Sequence, residues 1–378
     1  MNKQTQLKNL LSTLVAFPTV SGDFLASSEA LAFIDTFLTE RGMHVRRFKS
    51  EGFPSLVATT RPDSKQPTVM LTAHIDVVPG EKSQFKLTEK NDRYYARGVM
   101  DMKFSVACYL DLVDRLQDEL EQYDFGIMIT ADEEVGGRNG VGYLLSHQGY
   151  RTKVAIAPDG GDNWRLEEFA KGVQWVKLEA QGIAGHASKP WQGKNAIHML
   201  LATLSDIQQL LPPDSKREDT LLSVGTIEGG LAPNQLAPYA TAILDIRHGT
   251  MDDYQHIYPK IRKVCRKHDV KATLLVSDPP CINDPLNPFI EKFRRLITDA
   301  IGEEPGSWYG YAASDGRYFS QLNIPCVIVH PPAGGWHSKE EWISIDGLEQ
   351  FNRILYQYVQ EAAYAVPTPW HTPAKIKA

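Results

Sequence analysis

The sequence has little of what marks a secreted scaffold, a membrane protein or a nucleic-acid binder. Its four cysteines (Cys108, Cys265, Cys281 and Cys326) are scattered and form no C-x-x-C pair. That spacing argues against a disulfide framework or a cysteine zinc knot and makes a reducing, cytoplasmic compartment the default expectation. No apolar run approaches the roughly 18 residues of a membrane span, and mean hydropathy is −0.31. There is no basic excess: Lys and Arg total 40 against 46 Asp and Glu, a formal net charge of −6. That balance gives no electrostatic footprint for nucleic acid or an anionic membrane. The opening MNKQTQLKNLLSTLVAF is broken by polar residues and puts Leu7, Leu10, Leu11 and Leu14 on one face, which reads as a structural helix and not a signal peptide. No internal repeat or low-complexity tract is present, and the proline-rich, basic tail PTPWHTPAKIKA is expected to be poorly ordered.

What is there is a chain of 378 residues, long enough for two or three domains. Residues 1–165 alternate helical and strand patterns. Leu31, Ile34, Phe37 and Leu38 have helical spacing, 55–59 and 68–78 read as strands, and a helix with Val106, Tyr109, Leu110 and Val113 on one face begins just after Asp101. The apolar runs Phe125–Thr130 and 154–157 end in TADEE and PDGG. Strands that release into acidic residues at their C-terminal ends are typical of open α/β sheets, where ligands gather. The middle segment reads strand 173–181, helix 195–211, strands 221–227 and 241–247, helix 252–268, strand 270–276. That β-α-β-β-α-β order is the ferredoxin-like split unit. The first texture then returns with a helix over Pro288–Ile301, a strand at 326–329 and a helix at 346–364. The expected organisation is one α/β domain, 1–168 plus 282–378, interrupted by an inserted domain at 169–281.

Five acid or histidine clusters fall at expected strand ends or loops. His74 and Asp76 in LTAHIDVVPG are two apart, so on a strand they face one side. Asp101 opens a helix, where a lone Asp is ordinarily an N-cap. Asp132, Glu133 and Glu134 are adjacent carboxylates after an apolar strand, a costly grouping unless solvated or neutralised by cations. Asp159 sits in APDGGD and His337 in PPAGGWHSKEEW, each with glycines that permit an unusual backbone path. Singly, each has an ordinary loop or cap explanation. Together, two histidines and several carboxylates are the donor set of a dinuclear zinc hydrolase, with one carboxylate bridging and one acid kept off the metals as general base. Glu133 and Glu134 are equivalent candidates on this reading.

HIDVVP, RGVMDMK, ADEEVGG, the Asp159 turn and the late glycine-flanked His337 occur in an order that resembles one family. It is that of acetylornithine deacetylase and succinyl-diaminopimelate desuccinylase, with the aminoacylases and glutamate carboxypeptidase-like dinuclear zinc peptidases. The likeness covers nearly the whole chain. It implies a zinc-aminopeptidase-like three-layer α/β/α catalytic domain with the ferredoxin-like insertion as lid and dimerisation domain. It further implies His74, Asp101 and Asp159 around one zinc ion and Asp101, Glu134 and His337 around another, two per subunit, with cobalt or manganese as substitutes. Glu133 would be the general base and Asp76 the group that orients His74. In the inserted domain, His186 would reach a partner subunit's site to stabilise the oxyanion, and Asn234 and Arg247 would grip a substrate carboxylate.

Two stretches depart from the pattern. Phe104 replaces the glycine of many relatives and is expected to bear on the metal-pocket wall, and YGYAASDGRYF carries Tyr311, Ala312 and Ala313 where small or hydroxyl residues are frequent. The aromatic run Trp308, Tyr309 and Tyr311 reads as core packing. The function implied is hydrolysis of the amide bond of an N-acyl amino acid, or of a short peptide, with a free carboxylate, by a homodimer acting on small molecules. The alternatives are a di- or tripeptidase or carboxypeptidase using the same site and, from another class, a catalytically silent ligand-binding relative.

Overall fold

In the computed structural model, which describes residues 3–211, 219–310 and 314–364, the apolar runs become the strands of a mixed sheet. Its order is His44–Ser50, Phe53–Thr59, Phe125–Thr130, Val69–His74, Val154–Ile156 and Cys326–Val327. The last four are parallel; the first two join antiparallel. Every residue of Val69–His74 and Phe125–Thr130 is buried, which requires cover on both faces and hence three layers. Helices Lys3–Ala16, Lys103–Leu116, Ile345–Ala362 and Pro288–Ile301 pack one against the next, and the four leucines of the first are all buried. Local chemistry sets the helix ends. Asp23 and Asn287 cap two N-termini with their side chains, Pro288 occupies the first turn, and Gly302 closes the same helix at φ +83°.

These elements belong to one compact unit, formed by the described residues up to Glu168, Asn283–Tyr309 and those from Ser314 onward. A second small sheet in this unit pairs Thr88–Lys90, Arg93–Tyr95, Trp342–Ser344 and Ala333–Gly334, with Trp342 opposite Tyr95. It ties the segment before Asp101 to the hairpin that carries His337.

The other unit is Phe169–Ile282, with Gly310. Its sheet runs Leu221–Gly229, Tyr239–His248, Gly172–Gln181, Val270–Asp278, every pair antiparallel. Val176, Leu178, Leu244 and Ile246 point inward and meet Leu200, Leu204 and Ile207 of helix Ala196–Gln208 and Ile257 and Ile261 of helix Met251–Lys267. This is the ferredoxin-like arrangement, one sheet face covered by two helices. Among the described residues no helix is long and apolar enough to cross a membrane. Tyr311, Ala312, Ala313 and the tail lie outside the described residues.

Candidate metal centre

The parallel strands deliver their acids and histidine to the C-terminal end of the sheet. His74 is the last residue of its strand. Glu133 and Glu134 begin a single 3-10 turn just past Phe125–Thr130, and Asp159 lies three residues past Val154–Ile156. The Asp159 turn needs glycine at 161: its φ is +77°, and a Cβ there would stand 2.3 Å from the Arg165 carbonyl oxygen. Asp101 precedes helix Lys103–Leu116 but does not cap it; Met102 holds the cap position and no side-chain cap bond forms. The Asp101 carboxylate is directed at the histidines instead. His337 sits in the hairpin between Ala333–Gly334 and Trp342–Ser344, itself in the left-handed region at φ +55°.

Two groups of ligand atoms result, His74 with Asp101 and Asp159, and Asp101 with Glu134 and His337, each group within 4.8 Å internally. His74 Nε2 stands 3.0 Å from Asp101 Oδ1 and 3.9 Å from Asp159 Oδ2. His337 Nε2 is 3.2 Å from Asp101 Oδ2 and 3.2 Å from Glu134 Oε2. Each oxygen of Asp101 thus faces a different imidazole. The charges show how crowded the cluster is. Burial opposes a charge on His74, and the carboxylates of Asp101 and Asp76 outweigh it, holding the imidazole well above its ordinary value. Hydrogen bonds to Asp101 and Glu134 lift His337 to about 10. Burial, then the negative charge of Asp101, pushes Asp159 up to about 7, and burial with Asp159 nearby raises Glu133 well above the carboxylate range. Acids that resist ionising beside imidazoles that hold protons are a cluster short of positive charge.

A divalent cation fits that deficit. His74 Nε2 is buried and makes no hydrogen bond among the described residues, although the carboxylates of Asp101 and Asp159 both face it. An all-nitrogen-and-oxygen donor set suits zinc, manganese or cobalt.

Asp76 is fully buried behind the centre. His74 Nδ1 lies 3.0 Å from the Asp76 main-chain carbonyl and 3.5 Å from its carboxylate. The carboxylate itself accepts the Glu133 N–H at 3.1 Å, the Glu134 N–H at 3.2 Å and the Ser21 hydroxyl at 2.8 Å. Asp132 accepts the Asn139 N–H at 2.7 Å and closes the same loop. Sequence reasoning passed over Ser21, and also the buried Arg97 and Glu341, whose bonds reach the loops of Asp101 and His337. Arg97 opens RGVMD and Glu341 closes HSKEE, and that placement inside the two motifs was the available signal.

In the second unit, His186 and Asn234 are neighbours: the Ala187 N–H donates to the Asn234 carbonyl at 2.9 Å, and His186 bridges Gln235. The His186 ring is exposed and its Nδ1 lies 2.8 Å from the Ser188 hydroxyl. Arg247 forms a two-bond pair with Asp245 on its own strand. Phe104 does not stand at a pocket wall. Helical periodicity turns its ring into the core, edge-on to Phe351 at 5.4 Å, with no exposure. Trp308 is half-buried under the Arg165 guanidinium at 4.4 Å, so it is not a core residue either.

Residues 70–361 match the model of peptidase family M20/M25/M40. A succinyl-diaminopimelate desuccinylase of Sulfurovum sp. (strain NBC37-1) is 24% identical over 371 residues, covering 93% of this chain and 98% of that protein. The solved structure of aminopeptidase PepT from Bacillus cereus ATCC 10987 superposes with a TM-score of 0.77 at 19% identity, over 95% of this chain and 98% of that one. A dinuclear metal binding peptidase of the M20 family from Bacillus subtilis gives a TM-score of 0.72 at 14% identity, over 96% and 99%. With more than half its length matched by one family model and a desuccinylase similar along nearly its whole course, the chain belongs to peptidase family M20/M25/M40.

Proposed function

We propose that this metal-dependent amide hydrolase holds one ion between His74, Asp101 and Asp159 and a second between Asp101, Glu134 and His337. The observation that carries the reading is the divided Asp101 carboxylate, one oxygen 3.0 Å from His74 and the other 3.2 Å from His337. When bound, the ions supply Lewis acidity, polarising a carbonyl and making water a better nucleophile at neutral pH. Glu133 is the acid of its turn that stands outside both groups. It takes the proton of the attacking water and returns it to the leaving amine. Asp76 fixes the backbone of both glutamates, so the base and the ligand beside it move as one piece.

The substrate is an N-acyl amino acid or short peptide with a free carboxylate, as the desuccinylase likeness supports. Arg247 and Asn234 would hold that carboxylate, Arg247 exchanging its Asp245 pair for the substrate. His186 would steady the oxyanion of a partner subunit's substrate. A homodimer through the inserted domain is part of the proposal. Strand Leu221–Gly229 is a sheet edge exposed along most of its length, with Ile183, Trp191 and Leu231 exposed in the same unit. All four cysteines are buried thiols, which suits a cytoplasmic enzyme.

The test is amine release from pools of N-acetyl, N-succinyl and N-formyl amino acids and of di- and tripeptides, with zinc-loaded protein. Release confined to acyl amino acids supports the deacylase; release confined to peptides moves the assignment to a peptidase on the same site. Release from neither pool by protein carrying two ions rejects both substrate classes.

A further inference from the structure

Arg97 and Glu341 are a buried ion pair, 3% and 2% exposed, joined at 2.7 Å across 244 residues of sequence. The small sheet brings them together: with Trp342 opposite Tyr95, Glu341 falls beside the chain that runs on to Asp101. The Glu341 carboxylate is surrounded by donors. Oε2 accepts Arg97 Nη1 and the Gly98 N–H at 3.0 Å, and Oε1 accepts the Met100 N–H at 3.0 Å and the Asp101 N–H at 3.4 Å. Arg97 then extends Nη2 to the carbonyls of Pro79 and His337, both at 3.4 Å. One carboxylate therefore gathers the backbone of the Asp101 loop, and its arginine partner holds the main chain of His337. The His337 residue needs such a hold, because its left-handed backbone is unfavourable for a side-chain-bearing residue.

We propose that Arg97 and Glu341 are positioning residues that fix Asp101 and His337 relative to each other, and so set the affinity of the Asp101–Glu134–His337 metal position. The inference rests on the metal reading given above. Both partners are needed for the geometry. Glu341 must be ionised and acceptor-only, since all four of its neighbours donate. Arg97 must be a planar fork, since a lysine presents one nitrogen and cannot bind the carboxylate and the two carbonyls in that plane. The other metal position depends less on the pair, because His74 and Asp159 arrive from the main sheet.

Zinc titration by calorimetry of the chelator-stripped chain tests this. The control is His337→Ala, which should bind one ion fewer than wild type; two ions with unchanged affinities there would remove the metal reading itself. With the control behaving so, Glu341→Gln, of the same shape, turns an amide N–H₂ towards backbone donors. It should weaken one ion about 10–100-fold, the range seen when groups behind metal ligands are lost, and the other less than about threefold. In the His337→Ala background the same change should weaken the remaining ion by less than about threefold, which assigns the larger effect to the His337 position. Arg97→Lys should weaken that same ion by a smaller factor, and it carries the test if Glu341→Gln does not fold. Excess zinc should restore much of kcat in both variants. Affinities within twofold of wild type for both ions, or equal loss of both, would overturn the proposal.

Discussion

Replacing Asp76 with asparagine separates what its carboxylate does from what its backbone does. The side chain is fully buried and accepts three hydrogen bonds, from the N–H groups of Glu133 and Glu134 and from Ser21. Asparagine keeps the shape but replaces one oxygen with a donor. The Ser21 hydroxyl can turn to accept from it; a backbone N–H cannot. In either orientation one glutamate N–H therefore meets another donor, at a cost of about 1.5–3 kcal/mol for a bond to a charged acceptor. His74 keeps its 3.0 Å contact with the Asp76 carbonyl, which the substitution leaves intact. Asp76→Asn should thus lower the unfolding free energy of the metal-free protein by about 2 kcal/mol. It should also lower kcat by roughly 100-fold as Glu133 shifts, and weaken the ion bound by Glu134 more than the one bound by His74. Urea unfolding, steady-state kinetics and zinc calorimetry read the three effects. Unchanged stability and kcat, or selective loss of the His74 ion, would show instead that Asp76 serves chiefly to orient that imidazole.

Glu133→Gln should keep both ions while kcat falls by roughly 10²–10⁴; normal turnover would remove Glu133 as the base. Phe104→Ala empties a fully buried site against Phe351. It should cost about 3–5 kcal/mol, a fall in Tm on the order of 10 °C by scanning calorimetry, where a pocket-wall residue would change KM with little loss of stability. His248, buried in the second unit, is held down at about 4 by burial, from an ordinary value of 6.5. Its depressed value means the unfolded chain takes up the proton first, so its contribution is complete above pH 6.5 and lost as pH falls towards 4. Wild type should lose on the order of 3 kcal/mol more than His248→Leu across that window, and parallel urea-unfolding curves for the two would contradict it.

Much of the fold was legible because its core strands are continuous apolar runs released into acids. Phe125–Thr130 and helix Pro288–Ile301 begin and end where their patterns do. Strand His44–Ser50 was not legible: it is a polar edge, mostly exposed, held by pairing with Phe53–Thr59 and not by burial of its own side chains. Strands such as Arg93–Tyr95 and Trp342–Ser344 are too short to carry any period, yet their pairing brings Arg97 to Glu341. The acids and histidines of the centre stand out in sequence because apolar strands run straight into them. Glu341 acts through backbone N–H groups of the Asp101 loop and Ser21 through its hydroxyl on Asp76, and such partners leave no mark on residue spacing. Phe104 shows the opposite: its nearness to Asp101 in sequence suggests the pocket wall, while the helix turns its ring inward.

Two ions on a shared Asp101, as proposed, would make amine release depend on metal. Elemental analysis of the purified protein, alongside amine release before chelation, after chelation and after zinc is restored, tests it most directly. Two ions per chain, activity lost with the metal and recovered with it, is the predicted result. Undiminished amine release from metal-free protein would contradict the account.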